Sequence, residues 1–434
     1  MTSAASSAAS SAARSPSGGR GSALRALRHR DFGLFFGGNL LSNCGTWFQN
    51  IALALLVFRL THSSFWVGAV NFAQFAGVLL LAPWAGSAAD RFDRRRLIVT
   101  TQVVATAASA ALALAVAAGR GSLAVVLGLA LLLGLTTAFA TPALQAVVPA
   151  LVPREDLGAA IAMNSVTFNL ARAVGPVAGA AVVARFGIPW AIGLNALSFL
   201  ALAGAVLVVR AATPPAAGKG PRPTLRDSLR RVRGDPKLVA LLLTIAAVSI
   251  SLDPVNTLTP AFATKLFGRP DTFAGVLIGA FGAGAVVASL LPPRDSRGPE
   301  SQQRSRTVPL ALLCFAVGLV GFAVAPRVGF AYVALPVAGF GYLLAQTRAT
   351  TELQLGVDDE ERGRIMALWS VAFLGTRPLA SLADGGLGNL VGPRMAALIF
   401  AGPALVAGGG LLGGGGRSAS SGEADPSRRI RRRR

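Results

Sequence analysis

The sequence predicts an all-α membrane protein of twelve transmembrane helices, arranged as two six-helix halves related by pseudo-twofold symmetry. Three observations carry that reading. Of the 434 residues, 53% are hydrophobic and only 14% are charged, against about 25% charged in soluble domains. Mean hydropathy is +0.58, and apolar runs of bilayer-spanning length, roughly 20 residues, recur along the chain. A patterned segment of the first half also returns in the second half at one fixed spacing. The net charge of +22 then belongs to loops that meet anionic lipid rather than nucleic acid.

The chain begins with residues 1–27, rich in Ala, Ser, Gly and Arg, which read as a disordered tail without the apolar core of a cleavable signal peptide. The first half, 28–209, holds spans at about 32–58, 65–88, 97–118, 122–142, 160–184 and 187–209. A Pro- and Arg-rich linker follows at 210–237, with Leu225, Leu229 and Val232 at helical spacing, which predicts a surface amphipathic helix. The second half, 238–414, gives spans at about 238–263, 273–291, 307–325, 329–350, 365–389 and 394–414. Its last span is weakened by Gly408–Gly410 and Gly413–Gly416. A basic tail, 415–434, is expected to be disordered. Cys44 and Cys314 both fall within spans and imply no disulfide framework.

Orientation follows from the cations. The stretch from Gly86 to Leu97 packs Asp90, Arg91, Asp93, Arg94, Arg95 and Arg96 between two apolar runs. Such a cluster cannot sit in hydrocarbon, so it is expected to be a short aqueous loop. Four arginines there mark that side as cytoplasmic. The tails, the linker and the loops on the same side carry most remaining cations. The opposite side holds only Arg59, Arg120, Arg185, Lys265, Arg269, Arg327 and Arg394. Both termini are therefore expected in the cytoplasm and the protein in the plasma membrane.

The repeat is specific in its residues. Glu155, Asp156, Gly158, Ala162, Ser165, Val166 and Phe168 match Glu360, Glu361, Gly363, Ala367, Ser370, Val371 and Phe373 at an offset of 205. The same offset pairs Arg172 with Arg377 and Asp90 with Asp295. A same-direction repeat of six spans is one of the ways transporters are built.

These residues resemble the major facilitator superfamily, and within it the branch of enterobactin-exporter-like and macrolide-efflux-type proteins. The Gly86–Arg96 stretch resembles the family's loop after its second helix, with Asp93 in place of a glycine. Ser42–Asn50, Ser63–Gly68, Val152–Asp156 and Glu360–Ala367 carry the rest of the likeness. The resemblance implies alternating access around a central cavity and proton antiport. It also implies gating by Gly86, Asp90, Arg91, Arg94 and Arg95, and by Glu360, Arg362, Gly363 and Arg364 in the second half. Gly175, Pro176 and Gly179 look like part of an antiporter motif, with Ala171 and Ala180 where glycines are usual. Their plain physical reading is a tightly packed, bent helix.

Charges inside spans are expensive unless paired or hydrated, so they mark candidate sites. Arg172 and Arg377 sit at equivalent places and read either as gate and packing residues or as anion ligands. Asp253, beside Pro254, is the first candidate for proton coupling; its other reading is an acid satisfying local backbone at the break. Asp384, expected to face water near the outer end, and Glu352 follow it. Asn39, Asn43, Gln49, Asn50, Asn71, Gln74 and Asn169 offer neutral polar contacts to a cargo, with Trp47 among the apolar wall residues.

Rival functions divide as follows. An ATP-driven pump would need a phosphate-binding Gly-x-x-x-x-Gly-Lys-Ser/Thr loop, and the three lysines, Lys219, Lys237 and Lys265, make none. No His, Cys and carboxylate set has ligand spacing, so neither metal nor cofactor is expected and an enzyme is disfavoured. What remains is a monomeric secondary exporter of a small amphipathic molecule, with protons and lipids as its other partners. An importer or facilitator is the alternative, and a non-transporting scaffold the last.

Overall fold

The computed structural model describes residues 24–209, 230–291, 306–357, 365–366 and 368–420. At positions 82, 83, 86, 89, 90, 165, 166, 169 and 414–420 only the backbone is described. Helices of the first half are α1 (Arg30–Thr61), α2 (Ser64–Arg91), α3 (Arg94–Ala117), α4 (Leu123–Val147), α5 (Leu157–Phe186) and α6 (Ile188–Val208). The second half has α7 (Pro236–Thr257), α8 (Phe273–Ser289), α9 (Thr307–Val324), α10 (Val328–Leu355), α11 (Thr376–Leu390) and α12 (Pro393–Ser420). Among the described residues, nine helices are long and apolar enough to cross a bilayer, and α8 is apolar but shorter.

Packing repeats with the sequence. In the first half α1 packs on α5 and α6, α2 on α4, and α3 on α4 and α6. In the second half α7 packs on α11 and α12, α8 on α10, and α9 on α10 and α12. Advancing every label by six turns one set into the other. The same operation relates the two most extensive contacts that join the halves, α5 with α8 and α11 with α2. Small residues make both joints. A Cβ on Gly275 of α8 would lie 2.5 Å from the Pro176 carbonyl oxygen, and one on Gly385 of α11 would lie 2.5 Å from Ser64 O. Without association driven by water, such close backbone approach supplies the packing energy.

Several expectations change at element ends. The acidic and basic cluster after α2 is mostly helical: α2 runs to Arg91 and α3 starts at Arg94, leaving only Phe92 and Asp93 between them. Asp93 caps α3, its side chain accepting from Arg96 N at 2.7 Å. Leu24–Arg28 forms a 3₁₀ turn with Ala26 fully buried, so order begins before residue 28. Despite its glycines, α12 is helical through Ser420. The expected amphipathic helix at Leu225 and Leu229 lies outside the described residues.

Candidate functional site

Mid-depth in the bundle, the two equivalent arginines reach across the joint in opposite directions. Arg172 of α5 is 6% exposed. Its Nη1 donates to the Tyr342 hydroxyl of α10 at 2.8 Å, and its guanidinium sits 4.5 Å from that ring centroid. Phe281 of α8 and Trp47 of α1 lie at 5.5 and 5.8 Å from it. Arg377 of α11 stacks the other way, 4.4 Å from the ring of Phe75 on α2 in the first half. Each stack is a cation over an aromatic face in a water-poor setting, worth about 0.5–2 kcal/mol. The two guanidiniums also feel each other's charge.

What positions Arg377 is a π turn at Val371–Gly375. The widened turn leaves the Phe373 carbonyl to accept from Ser249 Oγ of α7 at 2.5 Å, tying α11 to α7. Such single π turns recur at functional sites. Asp253 of α7 lies within electrostatic reach of Arg377. It is 2% exposed, and its Oδ1 lies 2.8 Å from Ser381 Oγ. Asp384 corrects its expectation: it faces no water, is fully buried, and interacts with Asp253. The reason is the partner face, since α11 lays its Asp384 turn against α2 and α7 rather than against solvent. Glu352 sits at the far end of α10, near Lys237 and Arg348.

The remaining candidates divide. Asn39 donates to Asn164 Oδ1 at 2.9 Å and Asn43 to Asn39 O at 2.7 Å, both within the first half. Asn71 crosses the joint to Thr257 Oγ1 at 3.2 Å. Gln49 accepts from Ser109 and Asn195 within a buried network of the first half. Asn50, Gln74 and Trp47 are half-buried. The Asn169 side chain is not described. Gly175 and Gly179 pack α5 on α1: a Cβ there would meet Trp47 Cβ at 2.5 Å and Ile51 Cγ2 at 2.8 Å.

Arg94 and Arg95 bind carbonyls of their own half, Ala146 O at 3.4 Å and Leu207 O respectively, while Arg91 is exposed. The side chains of Gly86 and Asp90 are not described, and Glu360, Arg362, Gly363 and Arg364 lie outside the described residues.

A second set of cross-joint bonds closes the opposite end, at the α1–α2 turn. Arg59 clamps Asp271 with two hydrogen bonds, 2.5 and 3.0 Å. Asn389 of α11 accepts from Ser64 N at 2.9 Å and donates to Ser63 Oγ at 2.6 Å. With Arg59 partly exposed, the ion pair is worth about 0.2–1 kcal/mol. Arg59→Ala should therefore leave yield intact but shift the two halves towards separation at this end by up to roughly fivefold. The readout is the thiol-labelling rate of a cysteine placed at Thr272 in a Cys44→Ser, Cys314→Ser background. An unchanged rate, or one that the charge-swapped pair Arg59→Asp, Asp271→Arg does not restore, counts against the clamp.

Sequence reasoning missed Tyr342, Phe75, Phe281 and the Arg59–Asp271 clamp. Tyr342 carried a usable signal, being one of only two tyrosines and lying in an apolar span. A buried phenol needs a partner. The phenylalanines carried none, as aromatics are common among the 23 present.

The profile of the transmembrane secretion effector family matches residues 21–414. The chain belongs to that family. A staphyloferrin A transporter of Staphylococcus aureus is 25% identical over 360 residues, 80% of this chain and 87% of that protein. An enterobactin exporter of Citrobacter koseri is 26% identical over 386 residues, covering 86% and 88%. Among solved structures, an inward-facing, unoccupied bacterial homologue of the human lysosomal transporter Spinster superposes with a TM-score of 0.70 at 13% identity, covering 94% and 100% of the two chains. An auto-inhibited peptide transporter of the POT family gives 0.72 at 12% identity, covering 89% and 97%. These two show the fold, that of major facilitator transporters. Family and relatives make this chain a secondary transporter, not an enzyme.

Proposed function

We propose that this chain is a proton-driven exporter of a siderophore-like, amphipathic small molecule, resident as a monomer in the plasma membrane with both termini cytoplasmic. Export of a small molecule by a secondary transporter agrees with the family and with relatives that are an enterobactin exporter and a staphyloferrin A transporter. The observation that carries the reading is the reciprocal crossing of Arg172 and Arg377, each stacked on a ring of the opposite half beside buried Asp253. A charge relay at the joint of two rocking halves can link protonation to the direction in which the cavity opens.

With the linker end taken as cytoplasmic, the Arg59–Asp271 clamp lies outside and closes the outer side. Gly86, Asp90, Arg91 and the Glu360–Arg364 segment then form the inner gate. Asn50, Gln74 and Trp47 remain the cargo contacts on α1 and α2. Gly175, Pro176 and Gly179 hold α5 against α1 and α8.

Inside-out vesicles containing the protein test the reading. Imposing an acidic lumen should drive accumulation of an enterobactin- or staphyloferrin-type molecule, and a protonophore should abolish it. Accumulation only with the gradient reversed would mean import; flux indifferent to protonophore would mean facilitation; no flux for any siderophore or drug tested would leave a scaffold.

A further inference from the structure

We propose that Asp253 and Asp384 act as one site: a carboxyl pair between α7 and α11 that holds a single exchangeable proton. This deepens the export reading by locating the proton. Four observations support it, and the first is the spacing. Arg377, Ser381 and Asp384 stand at i, i+4 and i+7 on α11, so they share one face. Ser381 contacts Asp253, which places that face against α7.

The second is the set of atoms without partners. Asp253 is 2% and Asp384 0% exposed. Among the described residues, Asp253 Oδ2 and both oxygens of Asp384 are buried without a hydrogen-bond partner, as are Asn256 Nδ2 one turn along α7 and Arg377 Nε. Two ionised carboxylates sharing that face would repel, and only Ser381 stands within hydrogen-bond distance to satisfy either of them. One proton removes the repulsion and supplies a donor.

The third is Ser381. Its Oγ lies 2.8 Å from Asp253 Oδ1 and 2.9 Å from Arg377 O. A hydroxyl has one proton to give. With Ser381 as donor the two acceptors share one proton; both contacts are full two-centre hydrogen bonds when Asp253 carries a proton on Oδ1 and donates it to Ser381, which then donates to Arg377 O. With Asp253 ionised, Ser381 turns to the carboxylate and releases the helix carbonyl. The serine therefore registers the state of the pair.

The fourth is access. A Cβ on Gly385 would meet Ser64 O and Phe65 Cα of α2, and Gly68 of α2 packs on Ser381 O. The first half thus seals the acidic face of the second. Rocking the halves apart lifts α2 from α11 and opens the pair to water on the Arg59 side, where a proton can join a carboxylate oxygen. Closure there seals it again.

Among the described residues, the charges in reach of the pair are each other, Arg377 and, through it, Arg172. The described segment of α2 facing it brings Ser64, Phe65 and Gly68. On α12, Arg394 is engaged with Ala325 O. Glu352 on α10 sits among Lys237 and Arg348 at the other end.

The test uses purified full-length protein without cargo, so it stands apart from any transport assay. Infrared pH-difference spectra read the carbonyl stretch of protonated carboxyl groups. A shared proton means that Asp384→Asn moves the midpoint of the remaining Asp253 signal by about tenfold in proton concentration. Asp253→Asn should do the same to Asp384, and the double variant should lose the signal. Ser381→Ala should move the midpoint without removing it, which keeps the test valid if one Asn variant fails to fold. Two signals that vanish one at a time with the other unmoved would overturn the proposal. So would a signal that follows sodium concentration at fixed pH.

Discussion

Asp253→Asn protein should lose uphill efflux entirely, with accumulation falling to that of protein-free vesicles, while cargo exchange down a gradient continues. Asn keeps the shape of the side chain and can meet Ser381 in either sense, accepting through its amide oxygen or donating through its NH2. It cannot gain and lose a proton. The burial that makes Asp253 useful also explains why the change should be tolerated. A neutral amide among Asn256, Asp384 and Ser381 relieves a repulsion, so folding should change by no more than about 1 kcal/mol. That contrast separates coupling from structure, because a structural acid would take yield and every flux down together. Should the variant still build a gradient that a protonophore collapses, the proton passes elsewhere, with Asp384 or Glu352 next in line. Glu352 is the weaker choice on its position, lying near two cations at the helix end rather than at the joint.

Much of this arrangement is legible in the sequence. The long apolar helices follow from apolar runs, because backbone groups in lipid must be satisfied within the segment and only helices do so locally. The 205-residue offset places Arg172 and Arg377 at matching depths, and the reciprocal stacks are what that equivalence becomes when two similar halves face each other. The same lipid rule explains why α12 stays helical. A glycine costs about 1 kcal/mol relative to alanine in water, yet an unbonded peptide group in hydrocarbon costs several.

The helix-end cluster after α2 was harder to place. Charge density alone marks a segment as outside hydrocarbon and does not distinguish a loop from a helix end at the interface. The surroundings of Asp384 are not legible in the sequence, which gives its depth but not its azimuth. Which face of α11 meets α2 is set by Gly68 and Gly385, whose role appears only when the two helices are packed. Asn39 and Gln49 illustrate the same gap. A polar residue in a span demands a partner, and the sequence does not say whether that partner is cargo or another helix.

The arginine pair should behave as one unit with a signature that no lipid-facing or purely local residue would give. Arg172→Ala leaves the hydroxyl of Tyr342, which is 1% exposed, without the donor it now accepts from. An unpaired buried group of that kind costs about 1–3 kcal/mol, and the lost stack adds about 0.5–2 kcal/mol. Tyr342→Phe in the Arg172→Ala background removes the orphaned hydroxyl and should recover the first term but not the second. Arg377→Ala removes the Phe75 stack and strips Asp253 of its cation, so transport should fall further than stability. Lysine should rescue neither position, since it lacks the planar face that lies over the ring. The two guanidiniums repel each other, so each single loss relieves some strain on the other. The double variant should therefore deviate from the sum of the singles by about 0.5–3 kcal/mol. Thermal unfolding in detergent, read alongside vesicle flux, closes the cycle. Additivity within about 0.3–0.5 kcal/mol would mean two independent packing residues, and the relay across the joint would have to be abandoned.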